Sequence, residues 1–99
     1  MKKKIALAIF GLLFLYEIQA QNAIRGIVVD SYSENPLRNV SVTLLRTKII
    51  VLTDQNGQFL LENLPNGSYV LLVSFDSYET QKFPIELEGT AINLGTILM

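Results

Sequence analysis

The sequence predicts an all-β fold, a seven-stranded antiparallel β-sandwich behind a removable leader. Three observations point there. From Ala23 onward the apolar residues fall in short runs of β-branched and aromatic side chains, parted by Gly, Asn, Asp and Pro. No window beyond residue 20 offers a convincing apolar helix pattern. And Thr53 to Tyr78 sets out strand, turn, strand, turn and long strand in one run, for which the other segments read as partners.

The leader occupies residues 1–20 and the domain residues 21–99. Lys2, Lys3 and Lys4 make a basic start, Ile5 to Tyr16 is a run of apolar or small residues, and Glu17-Ile18-Gln19-Ala20 is a more polar stretch closing on a small residue. That order is the signature of a secretory signal cut after Ala20. A membrane-spanning helix is the competing reading, but the run falls well short of the ~20 apolar residues that cross a bilayer.

The leader takes three of the eight basic residues and one of the nine acidic ones, leaving five against eight and a net charge of −3. Charges so scattered form no basic face for phosphate backbones, so a nucleic acid partner is not expected. No polybasic or amphipathic segment would hold the processed domain on or in a membrane. Cysteine is absent. Packing without disulfides must therefore hold a small exported domain together, and no cysteine-linked lipid anchor is expected.

Ile24 to Asp30 reads as the first strand, followed by the polar loop Ser31-Tyr32-Ser33-Glu34-Asn35-Pro36. Val40 to Arg46 alternates Val40, Val42 and Leu44 against Ser41 and Thr43, a half-buried strand. Thr47-Lys48 separates it from Ile49 to Thr53, and so short a gap predicts an antiparallel hairpin, with a longer turn as the alternative because no Gly or Asn stands at its tip. Asp54-Gln55-Asn56-Gly57 is the clearest turn: Asp accepts from backbone N–H groups ahead of it, and Gly takes a positive φ. Phe59 and Leu61 then point one way, and Gln58, Leu60 and Glu62 the other. After Pro65-Asn66-Gly67, Ser68 to Phe75 is apolar on both faces, which predicts a central strand covered on both sides. Past the Asp76-Ser77 corner, Tyr78 to Glu88 sets Phe83, Ile85 and Leu87 against Lys82, Pro84 and Glu86, and Pro84 marks an edge strand. In Ala91 to Met99 the apolar parity changes between Leu94 and Ile97, which a β-bulge at Gly95 would repair.

Histidine and cysteine are both missing. That removes Ser-His and Cys-His nucleophile pairs, His-based zinc sites and thiolate ligands. Paired carboxylates drawn from Asp54, Glu62, Asp76 and Glu79 would need a cleft that a domain this small has little volume for. Asp54-Gln55-Asn56-Gly57-Gln58-Phe59 invites a calcium reading, but the Gly does not sit where an EF-hand loop places it, and an Asp-initiated turn accounts for the residues. No catalytic residue, cofactor or metal is expected. Among the aromatics, Tyr69 and Phe75 share the inward parity of the long strand, whereas Tyr32 and Tyr78 stand at loops; with Asn66 they are the candidate contacts for a small ligand or glycan. Asn39-Val40-Ser41 and Asn66-Gly67-Ser68 match the N-glycosylation triplet, which has little weight outside a eukaryotic secretory setting.

Five motifs together resemble a known family. Gly26-Ile27-Val28-Val29-Asp30, Pro36-Leu37-Arg38-Asn39-Val40-Ser41-Val42, Thr53-Asp54-Gln55-Asn56-Gly57-Gln58-Phe59, Leu64-Pro65-Asn66-Gly67-Ser68-Tyr69 and Ser74-Phe75-Asp76-Ser77-Tyr78 are similar to the pattern G-x-V-x-D, P-L-x-x-V-x-V, T-D-x-x-G-x-F, L-P-x-G-x-Y and S-x-x-x-Y of the carboxypeptidase regulatory-like domain. The resemblance implies a transthyretin-like, or prealbumin-like, sandwich without catalysis. Such domains follow the peptidase unit in some metallocarboxypeptidases, and follow the signal peptide of many TonB-dependent outer-membrane receptors in Gram-negative bacteria. The position behind a leader resembles the second arrangement and implies a periplasmic or outer-membrane-associated location. Ser77 and Asn39 stand where the family often has Gly, and the link at Thr47-Lys48 is shorter than usual. The chain stops at Met99 as its last strand ends, so it reads as a stand-alone relative or the front of a longer receptor.

Three functions follow as expectations: an accessory domain binding an envelope protein through an edge strand, with Tyr78 to Leu87 or Ile24 to Asp30 as candidates; a glycan or small-ligand module using Tyr32, Asn66 and Tyr78; and the regulatory domain of a secreted carboxypeptidase.

Overall fold

The computed structural model describes residues 22–99. The expected leader and its cleavage point lie outside the described residues. Among the described residues seven strands follow one another without a helix: β1 (Asn22–Val29), β2 (Ser41–Leu44), β3 (Ile49–Leu52), β4 (Gln58–Leu64), β5 (Gly67–Ser74), β6 (Gln81–Leu87) and β7 (Ala91–Leu98). They form a three-stranded sheet in the order β4-β1-β7 and a four-stranded sheet in the order β3-β2-β5-β6.

Alternation along each strand decides what lies between the sheets. Ile24 and Val28 of β1, Val42 and Leu44 of β2, Leu71 and Val73 of β5, and Leu87 of β6 are fully buried, with Phe59, Leu61 and Ile85 nearly so. Each large aliphatic buried there contributes roughly 1.5–3 kcal/mol. In β6, Ile85 and Leu87 face in while Lys82, Pro84 and Glu86 face out, as the alternation predicts. β6 is an edge strand, so Pro84 removes no N–H that a neighbour on that side requires. The expected bulge in β7 is present: Arg25 pairs with Asn93 but Ile27 with Thr96. Gly95 takes φ 69 there, its N–H donating to Asn93 Oδ1 at 2.9 Å, and Ile97 and Met99 return to the core.

Four expectations are corrected. Ile24 to Asp30 is not an edge: β1 lies between β4 and β7. Its pairing with β7 is parallel, so the sandwich is antiparallel in its other strand pairs only. The β2–β3 hairpin closes over the four positions 45–48, because Leu44 pairs with Ile49; Arg46 supplies the left-handed residue, at φ 71, that Thr47-Lys48 alone lacks. Finally, β5 is central but covered on one face only. Leu71 and Val73 are buried, whereas Val70 and Leu72 on the other face are half-buried. No second layer lies over them among the described residues.

Candidate functional site

The motif residues meet one another in space. The ring of Phe59 lies over Gly26, where an added Cβ would come within 2.9 Å of Phe59 Cζ. Gly57 sits against the backbone of Val28: its carbonyl accepts from Val28 N–H at 2.8 Å, its φ is 75, and a Cβ would stand 2.4 Å from Val28 O. The Asp54 carboxylate builds that turn, Oδ1 accepting from Asn56 N–H and Gln58 N–H at 2.9 Å each. Glycine is thus required at 57 by space and by backbone conformation, whereas at 26 a Cβ would push the Phe59 ring aside.

At the end of the sandwich where β1 finishes, Asp30 organises the loop to β2. Oδ1 accepts from the N–H groups of Tyr32 and Ser33 at 2.8 Å each, and Oδ2 accepts from the Tyr78 hydroxyl at 2.6 Å. The Tyr78 hydrogen bond, with those backbone N–H groups behind it, holds the Asp30 carboxyl at about 2, below the ordinary 3.8. The same hydrogen bond raises the Tyr78 phenol above its usual 10.0. The Tyr78 ring stacks on Phe75 at a centroid distance of 5.6 Å.

Beside this, Thr53 is buried with its hydroxyl donating to Leu37 O at 2.6 Å and accepting from Val40 N–H at 2.9 Å. At the opposite end, buried Asn22 donates through Nδ2 to Leu64 O at 2.7 Å and Asn66 Oδ1 at 2.8 Å, and its Oδ1 accepts from Gly89 N–H at 2.7 Å. One side chain ties the start of β1 to the β4–β5 and β6–β7 turns.

The three candidate ligand residues therefore divide. Tyr32 and Tyr78 lie at the Asp30 end, and Asn66 lies at the Asn22 end. The Tyr78 hydroxyl is engaged by Asp30 and the Asn66 carbonyl oxygen by Asn22, while Tyr32 is 98% exposed. Asp30, Asn22 and Thr53 were not singled out from the sequence; the signal for Asp30 was its place at the close of the first motif, ahead of a polar loop.

Among the described residues, two open depressions stand out. One, of ≈ 550 Å³, is lined by Arg25, Ile27, Asp54, Gln58, Leu60 and Asn93 on the three-stranded sheet. The other, of ≈ 470 Å³, lies among Asn39, Ser41, Ser74, Phe75 and Asp76. Neither joins a nucleophile to a base. Among the described residues no three Asp, Glu, His or Cys side chains gather as a metal site, and every buried side-chain polar atom has a hydrogen-bond partner. The polar groups described here are spent on holding loops together.

Residues 24–98 match the model of the CarboxypepD_reg-like domain. The chain belongs to this family. No curated protein matches the sequence. Among solved structures, the regulatory-like domain is similar to a chain of a type II cohesin–X-dockerin complex from Acetivibrio cellulolyticus, with TM-score 0.68 and 20% identity over 79% of this chain and 56% of that one. It thus spans little over half the length of that neighbour. It is similar also to the 5-hydroxyisourate hydrolase of Klebsiella pneumoniae, with TM-score 0.62 and 16% identity over 79% and 90% of the two chains. The major pilin subunit of Bacillus cereus gives TM-score 0.61 and 19% identity over 81% of this chain and 29% of its own. At these identities the likeness is one of fold: a transthyretin-like sandwich.

Proposed function

We propose that the chain is an exported, non-catalytic accessory domain of the Gram-negative envelope, in the periplasm or at the outer membrane. It serves as the N-terminal extension, or a stand-alone relative, of a TonB-dependent receptor, and it works by protein contact. The observation that carries this reading is the outer face of the four-stranded sheet. Ile50 and Leu52 of β3 are 61% and 59% exposed, and the same face continues through Leu72 and Val70 of β5, paired in register with Thr43 and Pro84. A contiguous apolar surface of this kind is where protein partners dock. The same sandwich occurs in a protein complex, in a pilin subunit and in a hydrolase; the lack of histidine and cysteine in this sequence favours contact over chemistry as its use here.

The test is photo-crosslinking in cells of a bacterium that carries the chain. A reactive residue at Leu72 should join the domain, in the outer-membrane fraction, to a receptor of larger mass than a second copy. The same residue at Glu62, exposed on the opposite sheet, should not. Equal yields from the two positions, or a chain that never leaves the cytoplasm, would reject the reading.

Tyr32 favours a glycan contact as the second reading, since its ring stands free beside the Asp30 turn. A sugar present at 100 times its dissociation constant should stabilise the domain by about 2.7 kcal/mol, and Tyr32→Ala should remove that gain.

A further inference from the structure

β3 is an outermost strand of the four-stranded sheet. Its four residues, Ile49-Ile50-Val51-Leu52, carry no charge or proline, two of the features that ordinarily blunt a sheet edge, and the strand's shortness is the one such feature it has. The other outermost strand of that sheet, β6, carries both Lys82 and Pro84. The two edges thus differ in the property that governs strand addition.

The hydrogen-bond phase of β3 is fixed by its neighbour. Thr53 N–H donates to Val40 O at 3.0 Å, so the pairs Val42–Val51 and Leu44–Ile49, which follow at steps of two in the register, also turn their backbone groups toward each other. Ile50 and Leu52 consequently direct their N–H and C=O groups outward, along the same edge where their side chains are exposed.

We propose that this edge pairs with the β3 edge of a second copy of this chain, antiparallel and centred on Val51. About that centre Ile50 lies opposite Leu52 of the second copy, and each such pair exchanges both of its N–H···O bonds. The next outward pair sets Lys48 against Asp54. Asp54 uses Oδ1 for its own turn, so Oδ2 can face the ammonium. The strand is therefore complementary to itself in hydrogen bonding, in apolar surface and in charge, as a two-fold interface requires. The two four-stranded sheets become one continuous sheet, and the outer apolar face runs across both copies. A neutral or positively charged foreign strand would gain the backbone bonds but not the paired charges at both ends. The proposal does not depend on envelope attachment, and failure of the crosslinking at Leu72 would leave it standing.

The sequence has no cysteine, which allows a test of register. Purified chains carrying Ile50→Cys and Leu52→Cys are mixed under mild oxidation. In the proposed pairing these positions face each other with Cα atoms about 5.5 Å apart, within disulfide reach; the like positions lie diagonally, beyond it. The mixed disulfide should form at least tenfold faster than either homodisulfide. Ile50→Lys should weaken association at least tenfold by sedimentation equilibrium without altering the circular dichroism spectrum. Lys48→Glu should weaken it less, and Lys48→Glu with Asp54→Asn should recover part of that loss. Equal disulfide rates, a dimer insensitive to Ile50→Lys, or a single-chain mass at ~1 mM protein would overturn the proposal. So would a single-chain species whose Ile50 and Leu52 amides respond only to an unrelated extended peptide.

Discussion

The hydroxyl of Tyr78 lies 2.6 Å from Oδ2 of Asp30, 48 positions earlier in the chain, and fastens the corner after β5 to the end of β1. Because the hydrogen bond favours ionised Asp30, its stabilising contribution is fully present above the ordinary pKa of 3.8 and is lost as pH falls toward about 2. On the alkaline side the Tyr78 phenol is raised above 10.0, so the contribution is complete below that value and disappears as pH climbs through the raised one. Urea unfolding midpoints across pH should show both declines. Tyr78→Phe should flatten the alkaline one and reduce the acid one; an unchanged acid limb would show that the tyrosine does not set the Asp30 carboxyl.

Gly57→Ala should destabilise the domain by about 2 kcal/mol or more. The new Cβ would sit 2.4 Å from Val28 O at a φ of 75, combining left-handed backbone cost with a collision against the central strand of its sheet. Thermal unfolding checks this, and a loss under about 0.5 kcal/mol would mean that the turn shifts freely.

Ser77 and Asn39 adopt φ 66 and φ 65, the left-handed region in which glycine is unpenalised. Ser77→Gly should therefore stabilise the fold by about 1 kcal/mol. Asn39→Gly should give less, since asparagine tolerates this region better than serine. Denaturant midpoints of the two variants give the order directly.

Thr53→Val keeps the shape of a buried side chain but leaves Val40 N–H without its acceptor and Leu37 O without its donor. A loss of about 1–3 kcal/mol is expected. Hydrogen exchange should quicken first at the Val40 amide, and a uniform change across the domain would contradict a local role.

What the sequence disclosed is what alternation can encode. The inward faces of Phe59 and Leu61, the inward face of β6 and the bulge at Gly95 all follow from which side chains avoid water. Alternation says nothing about lateral neighbours: Ile24 and Val28 are buried whether β1 is flanked on one side or two, so its place between β4 and β7 was not legible. Nor was the open face of β5, because Val70 and Leu72 are as apolar as Leu71 and Val73, and only the count of layers separates them. At the loops, Tyr32 and Tyr78 were legible as aromatics outside regular strands. The acceptor role of Asp30 depends on a tyrosine far along the chain, and the use of Asn66 depends on Asn22. Residues chosen singly for exposure could not reveal that two of the three were already engaged.

Parallel alignment of β1 with β7 sends the chain into the sandwich at one pole and out at the other. Eight residues of extended backbone place those poles roughly 25 Å apart. A pull on the chain at Met99, with the sandwich held at the Asn22 pole, would load the β1–β7 hydrogen bonds in shear, all together, instead of peeling them apart one at a time.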